Sequence, residues 1–96
     1  MDKRKVLAAL TSLAQKTRLD VFRLLVAAGP AGLPAGNLAQ EMSVPPNTLS
    51  FHLTHLRNAG LIRCRRQGRQ AFYSADYGRA QSLLGYLTEN CCKGCA

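Results

Sequence analysis

The spacing of the apolar residues changes at Gly60, and this change limits the folds that the chain can adopt. Leu49, Leu53 and Leu56 recur at i, i+4 and i+7, which places them on one face of a helix. A pair of prolines precedes this stretch, and proline suits a first helical turn because its missing N–H would be unpaired there anyway. We therefore predict a helix over residues 46–58, ended by the glycine.

Beyond the glycine, the helical spacing is lost. Residues 61–65 and 70–74 are each predicted to form a strand. Residues 66–69 between them, Arg-Gln-Gly-Arg, are predicted to be the turn of a β-hairpin. A helix followed directly by a short hairpin is the expected arrangement of this part of the chain.

The rest of the chain is predicted to be helical, with breakers between the helices. Apolar residues recur at helical spacing over residues 5–14, 17–28, 35–42 and 78–90. Residues 30–34 are predicted to be a loop, and the Ser-Val-Pro-Pro stretch at 43–46 to be a tight turn. The order α-α-α-α-β-β-α predicts a mainly α fold with a small β-hairpin, which is a winged helix-turn-helix. The 96 residues are expected to form one domain, 1–96, with 91–96 as a cysteine-rich tail.

The charge of the chain favours a polyanionic partner. There are 13 Lys and Arg against five acidic residues, a formal net charge of +8. Six of the cations lie between Arg57 and Arg79, with Asp76 as the single acid among them. An enzyme is not expected, because the chain has no Ser/His/Asp or Cys/His constellation, no paired catalytic carboxylates and no phosphate-binding glycine loop. With no signal peptide or membrane span expected, we predict a cytoplasmic protein.

The predicted helix at 46–58 carries most of the candidate DNA contacts. Short polar groups there can hydrogen-bond base edges or phosphates in a major groove, and an exposed Phe51 could meet a thymine methyl group. The candidates are Pro46, Asn47, Thr48, Ser50, Phe51, Thr54 and His55. The alternative is a solvated polar face with Phe51 packed on the preceding helix. His52 is expected to be a partly buried, hydrogen-bonded histidine rather than a ligand.

Four arginines in seven residues mark the predicted hairpin as a second DNA contact. They are Arg63, Arg65, Arg66 and Arg69, with no acidic residue among them. Alternation in the first strand predicts that Ile62 and Cys64 point inward while the arginines on either side point outward. A basic hairpin of this kind can straddle phosphates or enter a minor groove.

Three of the four cysteines lie within the last six residues, as Cys91, Cys92 and Cys95. Thiolates select soft ions, and three thiols this close together can reach one ion. Such a cluster on a small basic protein predicts a sensor or a metal clip.

The chain resembles the ArsR/SmtB family of winged-helix metalloregulators over nearly its whole length. Residues 50–61 match the family's pattern Ser-x-His-Leu-x-x-Leu-x-x-Ala-Gly-Leu. Residues 7–25 and 65–73 also resemble the corresponding segments of the family. The resemblance implies a homodimer formed by the first and last helices. It also implies repression at a palindromic double-stranded operator and release by an inducer.

Three of the family's inducer sites are not expected here. Residues 33–38 contain no cysteine, which excludes the Cys-x-Cys site that precedes the recognition helix in one subgroup. Residues 79–90 hold Glu89 but no His or Asp, which excludes the zinc site of another subgroup. The redox pairing of an early cysteine with a late one has no support, because the first cysteine is Cys64.

The C-terminal cysteines resemble those of arsenite-responsive members, which implies trivalent arsenic as the inducer. Arsenite prefers three thiolates, whereas methylated arsenic needs two, for which Cys91 and Cys92 could serve; antimonite is a further candidate. Zinc or another soft divalent ion stays open as an alternative, as does a Cys92–Cys95 redox pair. A metal buffer that docks a protein partner and an inert tail are the remaining alternatives.

Overall fold

The computed structural model describes residues 1–94 and shows five helices and three short strands within them. In chain order the elements are α1 Lys3–Leu13, α2 Lys16–Ala28, β1 Leu33–Pro34, α3 Ala35–Met42, α4 Pro46–Asn58, β2 Ile62–Gln67, β3 Gln70–Ala75 and α5 Tyr77–Leu87. The predicted mainly α winged helix-turn-helix is confirmed. The predicted bounds of α3 and α4 agree with those of the structure.

A third strand joins the predicted hairpin. The sheet is antiparallel in the order β1-β3-β2, with Leu33 opposite Tyr73 and Pro34 opposite Phe72. The prediction of a loop over residues 30–34 was wrong for Leu33 and Pro34, which form a strand. A strand of two residues is too short to show an alternating pattern in the sequence. Gly32 precedes this strand at φ +77°, and a side chain there would overlap the carbonyl of Tyr73.

The wing is the hairpin of β2 and β3. Its strands are longer than predicted, and its turn is shorter. Arg66 and Gln67 are strand residues opposite Ala71 and Gln70, so the predicted four-residue turn was too wide. The turn proper is Gly68 and Arg69, and Gly68 has a φ of +63°, which favours glycine.

The core lies where α4 meets α2, α3 and the base of the sheet. Its fully buried large side chains are Val21, Leu25, Leu38, Leu49, Leu53, Leu56 and Leu61. Three of them are the leucines on which the helix at 46–58 was predicted. α4 is therefore fixed from within the chain.

The turn before α4 is set by proline geometry. Ser43 ends α3 in the left-handed region, at φ +54°, and Pro45 precedes α4 at φ −61° as its N-cap residue. Pro46 then occupies the first helical turn, as predicted. Among the described side chains, none caps the first turn of α4.

The outer helices leave several large apolar side chains exposed. α1 buries Val6, Ala9 and Ser12, while Leu7 and Leu10 are exposed. α1 therefore turns its smaller residues toward the core and leaves two leucines on its surface.

The last helix starts one residue earlier than predicted and is shorter. Asp76 caps its N-terminus, and it ends at Leu87 rather than at residue 90. It buries Leu83 alone, and Leu84 and Leu87 are 56% and 53% exposed. Within residues 1–94, none of the helices is both long and apolar enough to span a membrane.

Candidate nucleic-acid interface

The polar residues of α4 form one open face, as predicted. Asn47, Thr48, Ser50 and Thr54 are all exposed, because the leucines on the opposite side face the core. The Asn47 side chain accepts a hydrogen bond from the backbone N–H of Thr48 at 3.0 Å. The face is therefore free to approach a groove of DNA.

Phe51 lies on this side of the helix and is 64% exposed. Its ring meets the ring of His52 edge-on, with centroids 5.5 Å apart, and lies 6.4 Å from that of His55. Both histidines belong to its own helix, so the aromatic surface stays open to a ligand.

His55 lies at the edge of the open face, next to Phe51, and is less exposed than the other candidates. It is half-buried, and its Nδ1 lies 3.2 Å from the hydroxyl of Ser12, which is fully buried in α1. The prediction put His55 on or near the open face of α4, and the structure places it at the edge of that face, in contact with α1. The helical spacing shows which side of α4 is buried, but it cannot show that α1 reaches around to cover this edge.

His52 is half-buried and hydrogen-bonded, as expected. Its Nδ1 lies 3.4 Å from Nη1 of Arg18 on α2, and Nε of the same arginine donates to the Ser12 carbonyl at 2.7 Å. Burial, and then the positive charges of Arg18 and His55, lower the pKa of His52.

Sequence reasoning missed Arg18 and Ser12 as residues of this region. One signal was available: Ser12 continues the stripe of Val6 and Ala9, and a polar residue on a buried stripe needs a partner. Nothing in the sequence pairs Arg18 with a histidine 34 positions away.

The four wing arginines divide into two pairs. Arg63 donates to the Asp76 carboxylate at 3.2 Å. Arg65 donates to the side chain of Gln67 at 2.8 Å and to the carbonyl of Ala31 at 3.2 Å, with its guanidinium 4.8 Å from the centre of the Phe72 ring. These two arginines are exposed but anchored.

The other two arginines, Arg66 and Arg69, lie toward the tip of the wing. Both are exposed, and no hydrogen bond or ion pair of their side chains occurs among residues 1–94. The predicted inward positions are confirmed, since Ile62 is buried and Cys64 half-buried. The basic end of the wing is therefore the part free to meet phosphates.

The C-terminal cysteines follow α5 in a series of turns. Cys91 and Cys92 are exposed free thiols with their sulfur atoms 3.3 Å apart. Cys95, the third predicted metal ligand, lies outside the described residues. Within residues 1–94, no group of three His, Cys, Asp or Glu side chains is placed to hold a metal ion.

Comparison with known proteins agrees with this geometry. Residues 13–65 match the family described as "Helix-turn-helix domain". The chain belongs to this helix-turn-helix family. The HTH-type transcriptional regulator YceK of Bacillus subtilis is 30% identical over 77 residues, which cover 79% of this chain and 76% of YceK.

Two solved structures share the fold. HlyU of Vibrio cholerae superposes with a TM-score of 0.71 at 28% identity, over 91% of this chain and 97% of HlyU; HlyU is described as a transcriptional activator. A homodimeric winged helix-turn-helix domain from Mycobacterium bovis, a possible ArsR-family regulator, superposes with a TM-score of 0.72 at 26% identity, over 91% of this chain and 81% of that domain. The helix-turn-helix protein described here is thus a DNA-binding transcription regulator with an ArsR-like winged-helix fold.

Proposed function

We propose that the protein is a homodimeric repressor that binds a palindromic operator and is released by trivalent arsenic. The observation that carries the DNA-binding part is the open polar face of α4, and the exposed arginines of the wing tip support it. α4 suits a major groove, where Asn47, Ser50 and Thr54 would contact base edges and phosphates and Phe51 a thymine methyl group. Arg66 and Arg69 would then reach the adjacent phosphates or minor groove.

The exposed leucines of the outer helices support a dimer. Leu7 and Leu10 on α1, and Leu84 and Leu87 on α5, are each between 38% and 56% exposed. Apolar side chains on two helices that pack together form a surface that a second copy can cover. A homodimer through the first and last helices would present two copies of α4, about one turn of DNA apart.

The thiols of Cys91 and Cys92 support the inducer site. Their sulfurs are 3.3 Å apart and exposed, and a soft ion prefers thiolate ligands. Two thiolates suffice for methylated arsenic. Arsenite and antimonite would also recruit Cys95.

Contacts between the start of α5 and the end of α4 offer a route for the signal. Gly60, at φ +77°, leaves room for the Arg79 guanidinium, whose carbon lies 2.8 Å from where a Cβ would be. The backbone N–H of Asp76 donates to the Leu61 carbonyl at 2.9 Å. A shift of α5 on inducer binding would therefore move the end of α4. A coupling of about 1–3 kcal/mol would lower operator affinity roughly 5- to 150-fold.

The test is fluorescence anisotropy with a palindromic fragment from upstream of the protein's own gene. Arsenite, methylarsenite, antimonite and zinc are titrated separately under reductant, and a diamide arm omits the reductant. We expect release by a trivalent arsenical, lost in Cys91→Ser/Cys92→Ser and kept in the control Cys64→Ser. Release by zinc or by diamide alone would assign the thiols to metal or redox sensing instead.

A reporter assay then tests the direction of regulation, which matters because HlyU is described as an activator. Expression from the same fragment should rise when the regulator is deleted. A fall would contradict repression while leaving operator binding intact.

A further inference from the structure

Two histidines of α4 tie it to the corner between α1 and α2. The chain of contacts runs from His55 to the Ser12 hydroxyl at 3.2 Å, and from the Ser12 carbonyl to Arg18 Nε at 2.7 Å. It continues from Arg18 Nη1 to His52 Nδ1 at 3.4 Å. Among residues 1–94, these are the side-chain hydrogen bonds that join α4 to another helix.

The chemistry of the guanidinium fixes the state of one histidine. Arginine offers donors and no acceptor, so Nδ1 of His52 must present its lone pair to Arg18. His52 is therefore neutral, with its proton on Nε2. His55 carries no such restriction, because the Ser12 hydroxyl can either donate or accept.

Directional contacts matter here because the rest of the α4 packing is apolar. Leu49, Leu53 and Leu56 hold the helix on the core by burial, which is non-directional. Burial alone specifies the roll of a helix less sharply than a hydrogen bond does, because only the hydrogen bond depends on direction. The hydrogen bonds to the two histidines resist that roll, and they lie on the edge of the helix next to Phe51.

We propose that Arg18 is a positioning residue for operator binding, which fixes the roll of α4 through His52. The proposal rests on the proposed DNA-binding function and adds a residue that does not touch DNA. Arg18 is half-buried behind α4, and two of its three guanidinium nitrogens already have partners within the chain.

The rival explanation of any effect at Arg18 is a direct phosphate contact. The salt dependence of binding separates the two. Removing a phosphate contact lowers the slope of log K against log salt by about 0.9. Removing a positioning residue weakens binding at every salt concentration and leaves that slope unchanged.

The test compares operator binding by Arg18→Met, His52→Leu and the double variant over a salt series. We expect each single variant to weaken binding roughly three- to tenfold, and the double variant to be no weaker than a single one. His52→Gln keeps an acceptor and should bind as the wild type does. Arg23→Met removes an exposed arginine from the same helix and serves as the charge control.

Nitrogen NMR of the free protein gives a readout that needs no DNA. His52 should be almost entirely the Nε2–H tautomer in the wild type, and in Arg18→Met it should relax towards the mixture of tautomers that a free imidazole shows. If Arg18→Met does not fold, Arg18→Lys replaces it, because a single ammonium group cannot reach both Ser12 and His52.

Several outcomes would overturn the proposal. A smaller salt slope in Arg18→Met with no effect in His52→Leu would make Arg18 a phosphate contact. If the losses of Arg18→Met and His52→Leu add up in the double variant, or if these variants bind like the wild type, Arg18 does not act through His52. A wild type that binds no operator would overturn the proposed function as well, whereas the variant results alone leave that function standing.

Discussion

Helix α4 and the last helix, α5, have similar apolar patterns but differ in how much of the apolar face is buried. α4 buries three leucines to 2% exposure or less, whereas α5 buries Leu83 and leaves Leu84 and Leu87 more than half exposed. Apolar periodicity therefore predicts a helix without saying what the helix packs against. The apolar face of α4 is covered by its own chain, whereas most of the apolar face of α5 is left exposed.

The largest effect is expected from truncating a buried leucine of α4. Leu53→Ala should lower the free energy of unfolding by about 2–5 kcal/mol, because it leaves a cavity among buried leucines. Urea denaturation followed by circular dichroism measures this loss. Phe51→Ala on the same helix is the matched control and should change the stability little while weakening operator binding. Equal losses of stability in both variants would contradict the assignment of Phe51 to the open face.

The next effect tests whether α5 is completed by a second copy. Leu84→Lys with Leu87→Lys should weaken the dimer by about 2–3 kcal/mol, because the exposed half of each leucine would be buried in the interface. Sedimentation equilibrium measures the change. Ser82→Lys adds a charge at an exposed position of the same helix and should leave the dimer intact. If the double variant stays dimeric, the apolar face of α5 serves another purpose.

The wing repeats the contrast between fixed and open side chains on a smaller scale. Arg66→Gln with Arg69→Gln should lower the salt slope of operator binding by about 1.8 and weaken binding by about 1–2 kcal/mol near 0.1 M salt. Arg63→Gln with Arg65→Gln removes the same charge from arginines that already have partners, and should change the slope less. An equal decrease of the salt slope in the two double variants would show that all four arginines contact phosphates.

The smallest effect concerns the cap of α5. Asp76 accepts from the backbone N–H of Arg79 at 2.9 Å, so Asp76→Ala should cost about 1 kcal/mol of stability, whereas Asp76→Asn should keep most of it. The hydrogen bond from Arg79, and then Arg63, hold the pKa of Asp76 below its usual 3.8. The ionised carboxylate of Asp76 therefore stabilises the folded protein fully above pH 3.8. This stabilisation is lost as the pH falls through the lowered pKa of Asp76. Thermal melts of the wild type and both variants between about pH 2 and 7 check this. A wild-type melting temperature that stays constant below pH 3.8 would contradict it.

The sequence predicted the fold and most of the open face of α4 because both follow from local patterns. The bounds of α3 and α4 and the inward position of Ile62 needed no knowledge of distant residues. The contacts of Arg65 with Ala31 and of Arg18 with His52 could not be predicted, because the two residues of each pair lie 34 positions apart in the chain. The contact of His55 with Ser12 could not be predicted for the same reason.

The proline-bounded turn before α4 has a thermodynamic consequence. Pro45 and Pro46 restrict the backbone even in the unfolded chain, so less conformational entropy is lost when this turn forms. The start of α4 should therefore be ordered before DNA arrives. The heat-capacity change of operator binding should then match the apolar surface buried at the interface, without the larger negative value that accompanies folding on binding.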